Sequence, residues 1–235
     1  MRALMFFAVL LLALAACAPA PPLGASGSGF DPGQLAKTDI DRVADAYRRE
    51  IFASLRLLAE KLYRRNPREW RKGETAGVDA ALARMFDPAA NWRFAEFDGR
   101  YGTDALQLAF RDDYRGDRVL ALIGGLGGMM QIAFNDKAEF FVIDDLDPQK
   151  FYNSARNVEI AVWRLSQARD GVGGLFLISN EAAMPQNLSF EREFGKIIGH
   201  LDLLSKIVAD KSNRTLVKVI QSLATAVFLP VAALR

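Results

Sequence analysis

The stretch 119–134, Val-Leu-Ala-Leu-Ile-Gly-Gly-Leu-Gly-Gly-Met-Met-Gln-Ile-Ala-Phe, constrains everything around it. Gln131 is its only polar side chain, and it is bounded by Asp117 and Arg118 before it and by Asn135, Asp136 and Lys137 after it. A helix that is apolar on every face must be covered on every face, by protein or by lipid. The stretch falls short of the roughly 20 apolar residues that span a bilayer. Gly124, Gly125, Gly127 and Gly128 each weaken a helix by about 0.8–1 kcal/mol relative to Ala, so their smallness must be used, and close approach of a neighbour is the natural use. They form no nucleotide fingerprint, because Met129 and Met130 stand where a Gly or Lys would be needed.

The rest of the chain offers the partners such a helix requires. Ile40, Val43, Tyr47, Ile51, Leu55, Leu58 and Leu62 recur at spacings of three and four, which predicts a long helix capped by Thr38 or Asp39 and stopped at Asn66-Pro67. Further helices are expected over 78–86, over 104–114 after Thr103, over 148–169 after Asp147-Pro148, and over 189–210 after Ser189. A last helix is expected over 216–227, from Leu216, Ile220, Leu223 and Val227, capped by Ser212 or Asn213, as a close neighbour of the Gly-rich helix. These stripes imply an all-α, bundle-like domain over 37–235 around the central helix 119–134. At most two short extended pieces are expected, 139–143 and 175–178, and their pairing is the alternative to a strand-free fold.

Composition removes several functions. The net charge of +2 gives no basic field for nucleic acid. One Cys and one His exclude a disulfide framework within the chain and Cys-rich or Cys/His zinc sites.

That one cysteine lies in an informative place. Met1-Arg2 precedes the apolar run 3–16, which has the length of a signal peptide core, and the run ends in Leu14-Ala15-Ala16-Cys17 before a segment rich in Pro, Gly, Ser and Ala. This arrangement resembles the lipobox of bacterial lipoproteins. The resemblance covers the first 17 residues and says nothing of the domain behind them. It implies cleavage between Ala16 and Cys17, acylation of Cys17, including palmitate, and a membrane anchor at that residue. Ala rather than Asp at position 18 implies, by the same resemblance, the outer membrane with the domain facing the periplasm; the inner membrane and the cell surface remain alternatives. Residues 1–16 are then the signal, and 17–36 a lipidated cysteine and a tether that reaches about 20–25 Å.

Several clusters invite a chemical reading. The helix 148–169 carries Asn153, Arg156, Asn157 and Glu159 beside its apolar seam, either as a functional polar site or as a hydrogen-bond network joining helices. Arg64, Arg65, Arg68, Trp70, Arg71 and Lys72 form a basic, aromatic group suited to anionic headgroups or to a solvated helix end. Trp92, Phe94, Phe97 and Tyr101 could line a pocket or plug a core. Asp144, Asp145 and Asp147 follow no calcium-loop pattern, and Asp147 before Pro148 reads as a helix cap rather than a metal ligand. His200 has no recognisable nucleophile partner. No catalytic residue, metal site or cofactor motif can be read. The expectation is therefore a membrane-anchored, non-enzymatic binding or structural protein whose partner is an envelope protein. A binder of lipid or another apolar ligand, with Met129 and Met130 at a cavity, is the alternative, and a periplasmic enzyme comes third.

Overall fold

The structure is a computed structural model and describes residues 37–141, 144–180 and 187–232. Cys17 and the segments 1–36 therefore lie outside the described residues. The described residues form an all-α fold with no strand; one isolated antiparallel bridge joins Arg169 and Leu175. No helix among them is long and apolar enough to cross a membrane.

Helix α1, Asp39–Arg65, starts at a reciprocal cap: the Thr38 hydroxyl accepts from the Asp41 N–H at 3.3 Å, and the Asp41 carboxylate accepts from the Thr38 N–H at 2.8 Å. Ile51, Leu55, Leu58 and Leu62 are fully buried along one face. Pro67 cannot donate into α1, and a separate short helix, α2 (Pro67–Lys72), begins there. Helices α3 (Val78–Met85) and α4 (Thr103–Leu108) are joined by an irregular segment with single 3₁₀ turns at Pro88–Ala90 and Ala95–Phe97. Helix α4 is capped by Gly102 rather than Thr103, and it ends six residues short of the expected 114.

Helix α5, Arg118–Ala133, is the Gly-rich stretch, and every residue in it except Ile132 is buried. Each glycine receives a different neighbour. A Cβ at Gly125 would stand 2.6 Å from the Cα of Leu106 on α4. At Gly127 it would stand 2.6 Å from Cδ2 of Trp92, and at Gly128 2.9 Å from Cε2 of Tyr101. At Gly124 it would meet Phe97 Cζ at 3.1 Å and Phe94 Cε2 at 3.2 Å. The aromatic segment 92–101 thus fills the groove that the glycines leave, and ring burial offsets their poor helix propensity. It is a core element, with Phe94 and Phe97 buried, and Trp92 also stacks on Phe52 at 5.5 Å and meets Phe86 edge-on at 5.2 Å.

Helix α6, Pro148–Gln167, is capped by Asp147, whose carboxylate accepts from the Gln149 N–H at 2.9 Å. It packs along α7, Ser189–Ser212, and α7 packs in turn against α1. Helix α5 sits among α1, α2, α4 and α6. Leu188 rather than Ser189 occupies the cap position of α7, and Asn187 accepts from the Ser189 N–H at 3.0 Å.

The expected helix 216–227 does not form. After α7 the chain leaves Asn213 in a left-handed conformation (φ +51°) and runs as an irregular strap through 232. The side chains at 216, 220, 223 and 227 recur with helical spacing, but Thr215, Val217, Val219, Ile220, Thr225 and Val227 are all β-branched and disfavour a helix. The helical neighbours of α5 are α1, α2, α4 and α6, not a helix over 216–227. The alternative, a pairing of 139–143 with 175–178, is not seen among the described residues; Leu175 faces Arg169 instead, and 142–143 lie outside them.

Candidate functional site

Five polar side chains of α6 are spent on the backbone of the C-terminal strap. Gln149 meets both main-chain groups of Val217: its Nε2 donates to the Val217 carbonyl at 3.0 Å, and its Oε1 accepts from the Val217 N–H at 2.8 Å. The Tyr152 hydroxyl accepts from the Val219 N–H at 3.3 Å. Farther along the helix, Arg164 donates to the Ala226 carbonyl at 2.9 Å. The chain then returns. Asn157 accepts from the Leu229 N–H at 2.6 Å and donates to the Leu229 carbonyl at 2.8 Å, and Asn153 donates to the Pro230 carbonyl at 2.7 Å. Gln149, Asn153 and Asn157 lie at i, i+4 and i+8, one face of a helix, which is why one helix can grip both legs. Gln221 links the legs, accepting from the Val227 N–H at 3.0 Å.

These contacts read main chain, not side chains, so they fix the path of the strap without choosing its sequence. Ala226, Leu229 and Val231 are buried and anchor the returning leg. The outgoing leg has no such anchor. Val217 is 67% exposed and Ile220 99%, Leu223 is exposed at the turn between the legs, and on the returning leg Val227 is 65% exposed. Between the strap and α6 lies a depression of about 310 Å³ lined by Tyr152, Ile160, Val219 and Leu223 among others, with Arg156 and Glu159 at its side.

Of the residues singled out from sequence, Asn153 and Asn157 are buried under the strap, and Asn157 also donates to Met129 Sδ on α5 at 3.4 Å. Arg156 reaches Asp202 on α7, and Glu159 pairs with Arg156 from one turn along α6. The Arg156 guanidinium bonds both carboxylate oxygens of Asp202, at 3.0 and 2.8 Å, pairs with Glu159 at 2.9 Å, and lies over the Tyr152 ring. Burial raises the Glu159 carboxyl above its ordinary range, and Arg156 opposes that shift. The four residues thus divide between two tasks, the asparagines holding the strap and the ion pair bridging α6 to α7. Tyr152 lies beside this cluster in the sequence as well; Gln149 and Arg164 do not stand out there, because their part is visible only once a second chain segment is laid alongside.

The other candidates have local explanations. Met129 and Met130 are fully buried on α5. His200 is half-buried, with its ring 5.0 Å from that of Tyr47. Asp144 accepts from the Phe141 N–H at 2.9 Å and pairs with Lys137, Asp145 pairs with Arg214 at 2.7 Å, and Asp147 caps α6. No group of three or more His, Cys, Asp or Glu among the described residues could hold a metal ion.

A buried acidic network at the start of α5 was not legible beforehand. Asp117 caps α5 through the Leu120 N–H at 2.9 Å and accepts from the Tyr63 hydroxyl at 2.8 Å. Glu69 accepts from the Arg118 N–H at 2.7 Å, and the Arg118 guanidinium donates to the carbonyls of Ala109 and Tyr114 at 3.0 and 2.9 Å. Burial is the main reason that the Asp117 carboxyl is pushed up to about 6, against the hydrogen bonds from Leu120 and Tyr63, which lower it. Burial first and Asp117 second also raise the Tyr63 phenol. Asp117 and Glu69 are engaged by N–H groups at the start of α5, and Arg118 by carbonyls of the preceding segment, so the network's place is in holding that helix start.

The chain matches no known protein family, no curated protein and no solved structure.

Proposed function

We propose that this chain is a lipid-anchored envelope protein that acts by binding rather than by catalysis. Leu14-Ala15-Ala16-Cys17 supplies the anchor, at the outer membrane, with the helical domain on the periplasmic side. The observation that carries the binding role is the strap. An ordinary apolar segment would turn inward, yet α6 uses five side chains to hold this one at the surface with Val217, Ile220, Leu223 and Val227 facing out. Exposed apolar side chains gathered in one patch mark a contact surface. The proposed partner is another envelope protein. The depression of about 310 Å³ beneath the strap favours a second reading, an apolar small molecule, since ligand sites begin near that volume.

Two experiments test the two halves of the proposal. Palmitate labelling of cells expressing the native chain and Cys17→Ser should label only the former; equal label in both contradicts the anchor. A photocrosslinking residue placed at position 220 should give a discrete adduct in cells that is lost on introducing Val217→Asp and Val227→Asp. The same adduct with and without those changes removes the strap as the contact surface.

A further inference from the structure

A second surface, distinct from the strap, joins cations to exposed aliphatic side chains. Three segments far apart in sequence lie side by side there: the junction of α1 and α2, the turn 111–116, and the loop 170–178. The Asn66 side chain exchanges both hydrogen bonds with the main chain of Ile178, each at 2.8 Å. Lys72 donates to the Gly116 carbonyl at 3.2 Å, and the Gly171 N–H donates to Asp112 at 3.0 Å. Phe176 is pinned beneath the Arg118 guanidinium, 4.5 Å away.

The tip of the loop 170–178 is held open rather than buried. Asp170 closes it by accepting from the N–H groups of Val172 and Gly174, at 3.1 and 2.7 Å, and Val172 at its apex is 93% exposed. Leu175 and Ile178 are exposed as well. Around this apolar tip the acids are largely occupied. Arg64 takes Glu60, Lys72 takes Glu69, Arg111 takes Asp113, and main-chain N–H groups take Asp112 and Asp170. The exposed guanidinium groups of Arg68, Arg71 and Arg115 have no carboxylate partner among the described residues, and Arg71 lies over the half-buried Trp70 ring at 5.0 Å. Glu74 and Asp112 are exposed carboxylates of these segments without an ion pair among the described residues, Asp112 being held by the Gly171 N–H, so the three guanidinium groups still leave a surplus of positive charge.

Aliphatic tip, interfacial Trp and surplus Arg are the three components of a surface that rests on an anionic bilayer: the tip inserts between acyl chains, the indole takes the headgroup level, and the guanidinium groups meet phosphate. We infer that this face docks on an anionic phospholipid surface. The inference rests on the reading that Cys17 brings a bilayer within reach. Each cation near such a surface strengthens partitioning about fivefold, and the attraction weakens as salt shortens its range.

The test uses residues 37–235 without acyl chains, because the buried residues described there form one continuous core cluster running from Ala44 to Val231. It is mixed with vesicles of phosphatidylcholine alone or with phosphatidylglycerol added, and binding is read by co-sedimentation. Binding should require phosphatidylglycerol and fall as salt rises. Val172→Asp should weaken it about tenfold, and Arg68→Glu with Arg71→Glu by more than that, while Ile220→Asp on the strap leaves it unchanged. These side chains are exposed, and unchanged circular dichroism confirms the fold of each variant. No binding to phosphatidylglycerol vesicles, equal binding to pure phosphatidylcholine, or indifference to the Arg68/Arg71 change overturns the inference. So does loss of binding in Ile220→Asp alone, which moves the bilayer contact to the strap. Failure here leaves the palmitate result untouched, and failure of palmitate labelling leaves this face standing as a vesicle-binding surface.

Discussion

Beyond the N-terminal run 3–16, two stretches are strongly apolar, 119–134 and 216–234, and they meet opposite fates. The first becomes α5, buried on all sides. The second, as far as it is described, becomes a surface strap with Ile220 almost wholly in solvent. Hydrophobicity does not separate them; how each satisfies its backbone does. In α5 the N–H and C=O groups bond within the helix, so the side chains are free to be enclosed, and the glycines let aromatic rings come close. The strap is rich in β-branched residues and contains Pro230, so a helix there is poor, and its main-chain groups are met by Gln149, Tyr152, Asn153, Asn157 and Arg164 instead. A backbone held by another helix's side chains must lie on that helix, and one side of it is left facing water.

The comparison breaks most readily at the glycines. Gly125→Ala sets a Cβ against the Leu106 backbone, which cannot rotate away, and should destabilise the domain by about 3 kcal/mol in urea unfolding. Gly124→Ala meets ring edges at 3.1 and 3.2 Å that can give slightly, and the gain in helix propensity should hold its effect within about 1 kcal/mol of native. Equal losses at the two positions would mean that helix α4 does not sit where the account requires.

The start of α5 should also carry a pH signature. Asp117 releases its proton near 3.8 in the unfolded chain and near 6 in the folded one. Between those values the folded state keeps a proton that the unfolded state has lost. This group's contribution to stability therefore falls as pH rises from about 4 to about 6, and it stays constant above that, a change on the order of 3 kcal/mol. Asp117→Asn should remove that slope from stability measured across the window; an unchanged slope would remove Asp117 as its source.

On the strap, Asn157→Ala leaves the Leu229 main chain without partners and should cost about 2 kcal/mol. Arg156→Ala loses a half-buried, solvent-screened bridge to Asp202 and Glu159, and its effect on stability should be near 1 kcal/mol. Ile220→Asp should shift unfolding by less than about 0.5 kcal/mol, since that side chain touches almost nothing.

The all-α fold was legible where periodicity and capping agree. Thr38 with Asp41 and Asp147 with Pro148 mark helix starts, and Ile51, Leu55, Leu58 and Leu62 mark a buried face. Periodicity misled at 216–227, where spacings of four and three recur without helix-forming residues between them. The partners that decide that segment lie on α6, some 70 residues away, and no local pattern records them. For the same reason Asn153 and Asn157 stood out as polar residues on an apolar helix, while the backbone they hold could not be named. The pairing of each glycine with its ring or its neighbouring helix was likewise nonlocal: close approach was expected, but not that Trp92 and Tyr101 would supply it.

Hydrogen exchange of individual amides in the native protein tests the contrast between the two stretches most directly. The account predicts that the amides of α5 beyond its first turn exchange only with global unfolding. The Val217, Val219 and Leu229 N–H groups, held by Gln149, Tyr152 and Asn157, should be protected while their neighbours in 220–224 exchange freely, and Asn157→Ala should release Leu229 without touching α5. Continuous protection across 216–227, at the level of α5 and unchanged in Asn157→Ala, would show a helix in place of the strap and contradict the account.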